Sequence, residues 1–178
     1  MSNEIQKYQD GTVVTTDFSK FEEYLVSLKL PTENIIASPQ ERNLIMDALP
    51  KFIISLPEET RKDARYLSKF IAGAAVGLFD ASLNFVWNEV VINLRKKVVV
   101  YGLDLFFDEA VGGKNRDNFS TEEDLAGIKD RTLLDTCLKL ELISDLVHKK
   151  LVHILNMRND IGSSHPNQYS INSYELLG

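Results

Sequence analysis

A long stretch without proline, from Asp80 to Val111, constrains the fold of this chain more than any other feature. Its apolar residues recur at spacings of three and four, which is the period of an α-helix. The repeat comprises Leu83, Trp87, Val90, Val91, Leu94, Val98, Tyr101 and Leu105. We therefore predict a long central helix that is buried on much of its surface. Residues 98–101 favour a strand and Gly102 can interrupt a helix, but the three/four period crosses both.

Shorter helices are predicted before this stretch, and one more long helix after it. Asp17 can cap a helix that Pro31 ends, and Ser38–Glu41 forms a capping box that opens a helix to about Ser55. Pro57 opens the next helix, to about Gly77. Residues 112–124 read as a loop, after which a last long helix runs to about Asn159. These patterns predict an all-α fold, an up-and-down bundle with two long core helices plus shorter N-terminal helices.

Chain length and composition suggest one folded domain. The chain has 178 residues, enough for a sizeable core. We predict a polar N-terminal arm over residues 1–16, a single helical domain over residues 17–170, and the start of a truncated following segment over residues 171–178. That last segment resembles a new helix that begins at Ser173–Glu175.

Charge, cysteine content and hydropathy exclude several classes of function. A net charge of −6 argues against a protein that coats nucleic acid by bulk attraction, although it allows a local basic cleft. The single cysteine, Cys137, cannot form an internal disulfide or a thiolate metal site. The N-terminus is polar, and the longest uncharged apolar run, residues 70–79, has about half the length that crosses a bilayer. We expect a cytoplasmic protein that needs no cofactor, metal ion or membrane.

Arg158 and His165 are the strongest candidates for chemistry. If the last helix is continuous, Leu140, Val147, Leu151, Ile154 and Arg158 share one face, so Arg158 continues an apolar stripe. An arginine there must meet an anion, which can be a carboxylate, a phosphate or a helix C-terminus. A purely structural role, in which Arg158 pairs with a carboxylate at a helix end, is the alternative.

The residues around this pair suit an anion. His165 lies beyond the helix on a loop that Gly162 can turn back, and Ser163 and Ser164 offer hydroxyl groups and backbone amides there. Lys149 and Lys150 precede Arg158 by two turns and can hold an RNA backbone, although most such basic runs are solvated. The other two histidines, His148 and His153, are spaced five apart on a helix and make a poor metal pair.

The segment from Arg158 to His165, with Asn159 directly after the arginine, resembles the motif of the HEPN superfamily. Ribonucleases of that superfamily carry Arg-x(4–6)-His at the end of a core helix in an all-α bundle, often with Asn, Asp or His after the arginine. The central helix around Phe85–Glu89 is also similar to the family's core, and the resemblance covers roughly residues 60–170. The gap here is the longest that the pattern allows, and Asn167 stands where some toxin members have tyrosine.

The resemblance implies a metal-independent endoribonuclease, a toxin or defence effector that leaves a 2′,3′-cyclic phosphate. Arg158, Asn159 and His165 would be catalytic, and Lys149, Lys150, Ser163 and Ser164 would bind RNA. It also implies a homodimer with a composite active cleft, and a cognate antitoxin or regulatory domain as a further partner. Two alternatives remain open. One is a non-catalytic HEPN-like dimerisation, sensor or RNA-binding module of a larger protein, and the other is a helical bundle without a site.

Overall fold

The computed structural model describes residues 19–161 and 170–178. Within these residues every regular element is a helix and no strand occurs. The predicted all-α helical bundle is therefore confirmed. The predicted polar arm, residues 1–16, and Asp17, which was expected to cap the first helix, lie outside the described residues.

Nine α-helices are described, and their bounds are as follows. They are α1 (Ser19–Ser27), α2 (Pro39–Ser55), α3 (Glu58–Asp63), α4 (Arg65–Val76), α5 (Phe79–Tyr101), α6 (Leu103–Ala110), α7 (Asp130–Lys139), α8 (Asp145–Asn159) and α9 (Ser173–Leu177). Two 3-10 helices, Gly113–Asn118 and Glu123–Gly127, fall between α6 and α7, in and just after the segment predicted as a loop.

The capping box predicted at Ser38 is confirmed, and the start of α9 has a capping box that was not predicted. The Ser38 backbone N–H donates to the Glu41 carboxylate, and the Glu41 N–H donates to the Ser38 hydroxyl, which completes the capping box of α2. At α9 the side chain of Asn172 accepts hydrogen bonds from the backbone of Tyr174 and Glu175. These bonds satisfy amide groups that a helix start leaves without intrahelical acceptors.

The predicted central helix is interrupted at Gly102, so the expectation of one helix from Asp80 to Val111 was wrong. Gly102 has φ 128°, a backbone conformation that residues with a Cβ atom rarely adopt. Helix α5 ends at Tyr101, and α6 begins directly afterwards at Leu103. Residues 98–101, which favour a strand, are helical, as the three/four period predicted. The helix nevertheless ends before Gly102, because this glycine adopts a non-helical backbone conformation.

The predicted last helix is also divided, into α7 and α8. Glu141 adopts φ 56°, and the Leu142 N–H donates to the Cys137 carbonyl oxygen at 2.8 Å, which closes the end of α7. Ser144 then caps α8 by accepting from the Val147 N–H. A non-glycine residue in the left-handed region gives little warning in a sequence, which explains the error. The helix predicted from Pro57 is similarly divided at Ala64, between α3 and α4.

The described residues group into two compact units. The first comprises residues 19–86 and 170–178, where α2 packs against both α4 and α9. The second comprises residues 87–161, where α7 packs against α6 and α8. The buried core of the second unit consists of Trp87, Val91, Leu94, Val98, Phe106, Phe107, Leu125, Ile128, Leu133, Leu134, Cys137, Ile143 and Leu155.

Candidate functional site

Arg158 lies in the last turn of α8, within the second unit, and its guanidinium meets a carboxylate. Its NH1 atom donates to Oδ2 of Asp130 at 2.9 Å, and the two side chains are 32% and 28% exposed, respectively. The prediction that this arginine must meet an anion is confirmed, and one of its partners is a carboxylate of the same chain. Such a partly shielded pair is stronger than a surface pair because less water competes for the charges.

Asp130 is the first residue of α7, and its position follows from the helical hairpin. Helices α7 and α8 pack against each other, so the start of α7 lies beside the end of α8. A carboxylate at a helix N-terminus is also favoured by the helix dipole. Asp130 was not predicted as a partner, because a continuous helix through residue 140 would place it far from Arg158.

The same carboxylate oxygen accepts a second hydrogen bond, from a core tryptophan. The Nε1 atom of Trp87 lies 2.8 Å from Oδ2 of Asp130, and Trp87 is only 1% exposed. The prediction of Trp87 as a core residue is confirmed, and its indole N–H also has an acceptor, as buried tryptophans usually do. Helix α5 thus contributes to the position of Arg158 through Asp130.

The apolar stripe that was expected to lead to Arg158 is shorter than predicted. Leu140 lies in the turn after α7, outside α8, and Val147 is 41% exposed. Leu151 and Ile154 are partly buried and pack against the core. The stripe therefore reaches Arg158 only over the second half of α8, because the helix begins at Asp145.

The other predicted site residues are described only in part. Asn159 is the last residue of α8 and is exposed. His165, Ser163 and Ser164 lie outside the described residues, so their roles in the site stay predictions. Lys149 forms an ion pair with Asp145, one turn away, at 2.6 Å, while Lys150 is exposed. Part of the positive charge that was expected to hold RNA is thus balanced within α8.

A second cluster on the same hairpin was not foreseen. Asp135 of α7 lies 2.7 Å from Nε2 of His148 on α8, and Nε of Arg131 donates to both of its oxygens, at 2.9 and 3.0 Å. Partial burial raises the pKa of Asp135, but the hydrogen bonds from Arg131 and His148 outweigh it and leave the pKa below its usual value. His148 therefore links α7 and α8 through Asp135.

Two further observations bear on chemistry. Cys137 is a free, buried thiol, and burial raises its pKa to about 11, partly offset by the charge of Lys97. It therefore stays protonated and unreactive at neutral pH. Among residues 19–161 and 170–178, no group of three or more His, Cys, Asp or Glu side chains is arranged to hold a metal ion. The helices in these ranges include none with the length and hydropathy needed to cross a membrane.

Comparison of the chain with protein-family models, with curated proteins and with solved structures finds no match. Function is therefore inferred from the residues themselves, beginning with the arginine at the end of α8, which contacts Asp130, and with Trp87, which donates to the same carboxylate.

Proposed function

We propose that this protein is a metal-independent endoribonuclease of the HEPN type. The observation that carries the proposal is the placement of Arg158, which is anchored through NH1 on Asp130 while about a third of its side chain stays exposed (32%). A guanidinium has five N–H donors in a rigid plane, so one edge can be anchored while the group also meets a phosphate. Anchoring reduces the reorganisation needed when the anion arrives.

The residue types suit cleavage by transesterification. The ribose 2′ oxygen attacks the adjacent phosphorus, the bond from phosphorus to the 5′ oxygen breaks, and a 2′,3′-cyclic phosphate and a 5′-hydroxyl result. His165 takes the proton of the 2′-hydroxyl, because its ordinary pKa of about 6.5 suits proton transfer near neutral pH. Arg158 stabilises the extra negative charge of the phosphorane, and Asn159 orients the phosphate.

A homodimer completes the proposed site. Two copies of the motif would face one cleft, so that the second His165 returns a proton to the departing 5′ oxygen. Lys149, Lys150, Ser163 and Ser164 would line the path of the RNA backbone. An enzyme of this kind serves as a toxin or defence effector, and an antitoxin or regulatory domain would restrain it.

A second candidate is a non-catalytic HEPN-like module for dimerisation, sensing or RNA binding. It is favoured by the ion pair with Asp130, which already balances the charge of Arg158 at 2.9 Å. In that case Arg158 stabilises the hairpin and does not act on a phosphate. Cleavage assays separate the two candidates, because both can bind RNA but only one breaks it.

The test is cleavage of a mixed RNA in EDTA by the wild type and by the variants Arg158→Ala, Arg158→Lys and His165→Ala. We expect the wild type to release fragments with 2′,3′-cyclic phosphate ends, identified by mass spectrometry. Arg158→Ala and His165→Ala should each reduce the rate by about 100-fold or more. Arg158→Lys should cleave little faster than Arg158→Ala, since an ammonium group lacks the planar set of donors of a guanidinium.

Two variants on the same hairpin provide matched controls. Arg131→Ala removes another arginine that is paired with an aspartate of α7, and His153→Ala removes an exposed histidine of α8. Both should cleave as the wild type does. If the wild type binds RNA without cleaving it, the enzyme proposal is overturned in favour of the binding module. A protein that stays monomeric at high concentration in sedimentation experiments would contradict the composite cleft.

A further inference from the structure

Cations of the second unit differ in whether a carboxylate balances them. Five of them form ion pairs: Arg116, Arg131, Lys139, Lys149 and Arg158. The other six form no ion pair with any residue that the structure describes, and two of these six, Arg95 and Lys96 of α5, line the same cavity. Two adjacent unbalanced cations attract an anion from solution more strongly than paired cations do.

Arg95 also carries a donor that the protein does not satisfy. Its Nε atom is buried and has no hydrogen-bond partner within the described ranges. Leu94 and Val98 fix this part of α5 in the core, at 4% and 0% exposure. A buried N–H without an acceptor is unfavourable, so the guanidinium of Arg95 has hydrogen-bonding capacity that the described part of the protein does not use.

Two carboxylates line the same cavity as Arg95 and Lys96. Glu122 and Glu123 are exposed where the second 3-10 helix begins, and they form no ion pair with Arg95 or Lys96 within the described part of the chain. Leu125, which is 1% exposed, anchors this 3-10 helix in the core. Asp124 braces the turn by accepting from the backbone of Ser120 and Thr121, and these bonds lower the pKa of Asp124.

The cavity has the size of a small-molecule site and offers two kinds of polar group. Its volume is about 340 Å³, and Ile92, Arg95, Lys96, Glu122, Glu123 and Ala126 line it. Small-molecule sites occupy roughly 300 to 1,000 Å³. A ligand that satisfies both kinds of group needs an anionic group for the cations and N–H donors for the carboxylates. A nucleotide has both, in its phosphate and in the Watson–Crick edge of its base.

We propose that this cavity binds a single guanosine nucleotide, with the phosphate on Arg95 and Lys96 and the base on Glu122 or Glu123. Guanine fits best because its N1–H and amino group are adjacent donors that match the two oxygens of one carboxylate. Uracil presents only one N–H on that edge. The use of this site to hold an RNA substrate rests on the proposed function, whereas its capacity to bind a nucleotide does not.

The test follows the side-chain ¹H–¹⁵N signal of Arg95 Nε by NMR, assigned through its loss in Arg95→Lys. The wild type is titrated with GMP, with UMP and with inorganic phosphate. We expect GMP to move the signal at a concentration at least about tenfold lower than UMP or phosphate. The double variant Glu122→Gln, Glu123→Gln should lose the preference for GMP. Lys96→Ala should weaken the binding of both GMP and UMP. Lys114→Ala, which removes an exposed lysine of the same unit, should change neither.

A signal that stays in place at millimolar GMP would overturn the proposal, and so would equal responses to GMP and to phosphate. A single-stranded 2′-O-methyl RNA with and without guanosine tests the role in RNA binding without cleavage. Guanosine-dependent movement of the Arg95 signal supports that role. If the protein binds GMP but not this RNA, the role in RNA binding is overturned, and the cavity is a site for free nucleotide. None of these outcomes depends on ribonuclease activity, so they are distinct from a failure of the proposed function.

Discussion

Two aspartates of α7, Asp130 and Asp135, each hold a residue of α8, but they do so in different surroundings. Asp130 accepts from Arg158 and from the indole of Trp87, which is only 1% exposed. Asp135 accepts from Arg131 and meets His148, and both Asp135 and Arg131 are about half exposed (49% and 56%). One carboxylate is thus tied to a core tryptophan, and the other joins a half-exposed arginine to a histidine that is 12% exposed.

The difference indicates that the same type of contact carries different free energies at the two ends of the hairpin. Ion pairs in water contribute little, because water screens them and the side chains lose freedom. A partly buried carboxylate costs more to lose, since its partners must then remain poorly solvated. We therefore expect the contacts of Asp130, which include the indole of Trp87, to contribute more to stability than those of Asp135.

The largest effect is expected from Asp130→Ala. This substitution takes the carboxylate from Arg158 and the acceptor from Trp87, so we expect the free energy of unfolding to fall by about 2 to 3 kcal/mol. Asp135→Ala, the matched control, should lower it by about 0.5 to 1 kcal/mol. Urea denaturation at pH 7 measures both. Equal losses in the two variants would contradict the distinction between the two clusters.

An intermediate effect is expected from Trp87→Phe, which keeps an aromatic ring in the core and removes the indole N–H. The lost hydrogen bond to a charged acceptor should lower the free energy of unfolding by about 1 to 2 kcal/mol. In the Asp130→Ala background, Trp87→Phe should lower the free energy of unfolding by about 1 kcal/mol less than it does in the wild type, because the acceptor of the indole N–H is already absent. A double-mutant cycle measures this coupling. Additive costs would mean that the contact between Trp87 and Asp130 contributes nothing to stability.

The smallest effect concerns pH at the cluster around Asp135. The pKa of Asp135 is lowered in the folded protein, so its stabilisation is present above the unfolded-state pKa, about 4, and is lost as pH falls through the folded-state pKa. The wild type should exceed Asp135→Asn in free energy of unfolding by about 0.5 kcal/mol at pH 7, and the difference should shrink towards pH 3. Urea denaturation across this range provides the measurement. A difference that stays constant with pH would refute the role of the ionised carboxylate.

Local signals predicted much of the fold. The capping box at Ser38 and the apolar period across residues 98–101 act between residues within a few turns, so they can be read directly. Breaks at Gly102 and Glu141 were harder to predict, because a positive φ at one residue competes with a favourable helical pattern on both sides. The candidate site was likewise predicted only in part. Arg158 and Asn159 form a local motif that can be read in the sequence, whereas Asp130 does not stand out.

The sequence by itself determined that this chain is helical and that Arg158 must meet an anion, because periodicity and the cost of an unbalanced charge are local matters. Only the tertiary structure decided that an anion beside Arg158 is Asp130, which lies 28 positions earlier in the chain. The turn at Glu141 reverses the chain and brings the start of α7 to the end of α8. Such a pairing depends on how helices pack, and no spacing within a single helix can encode it.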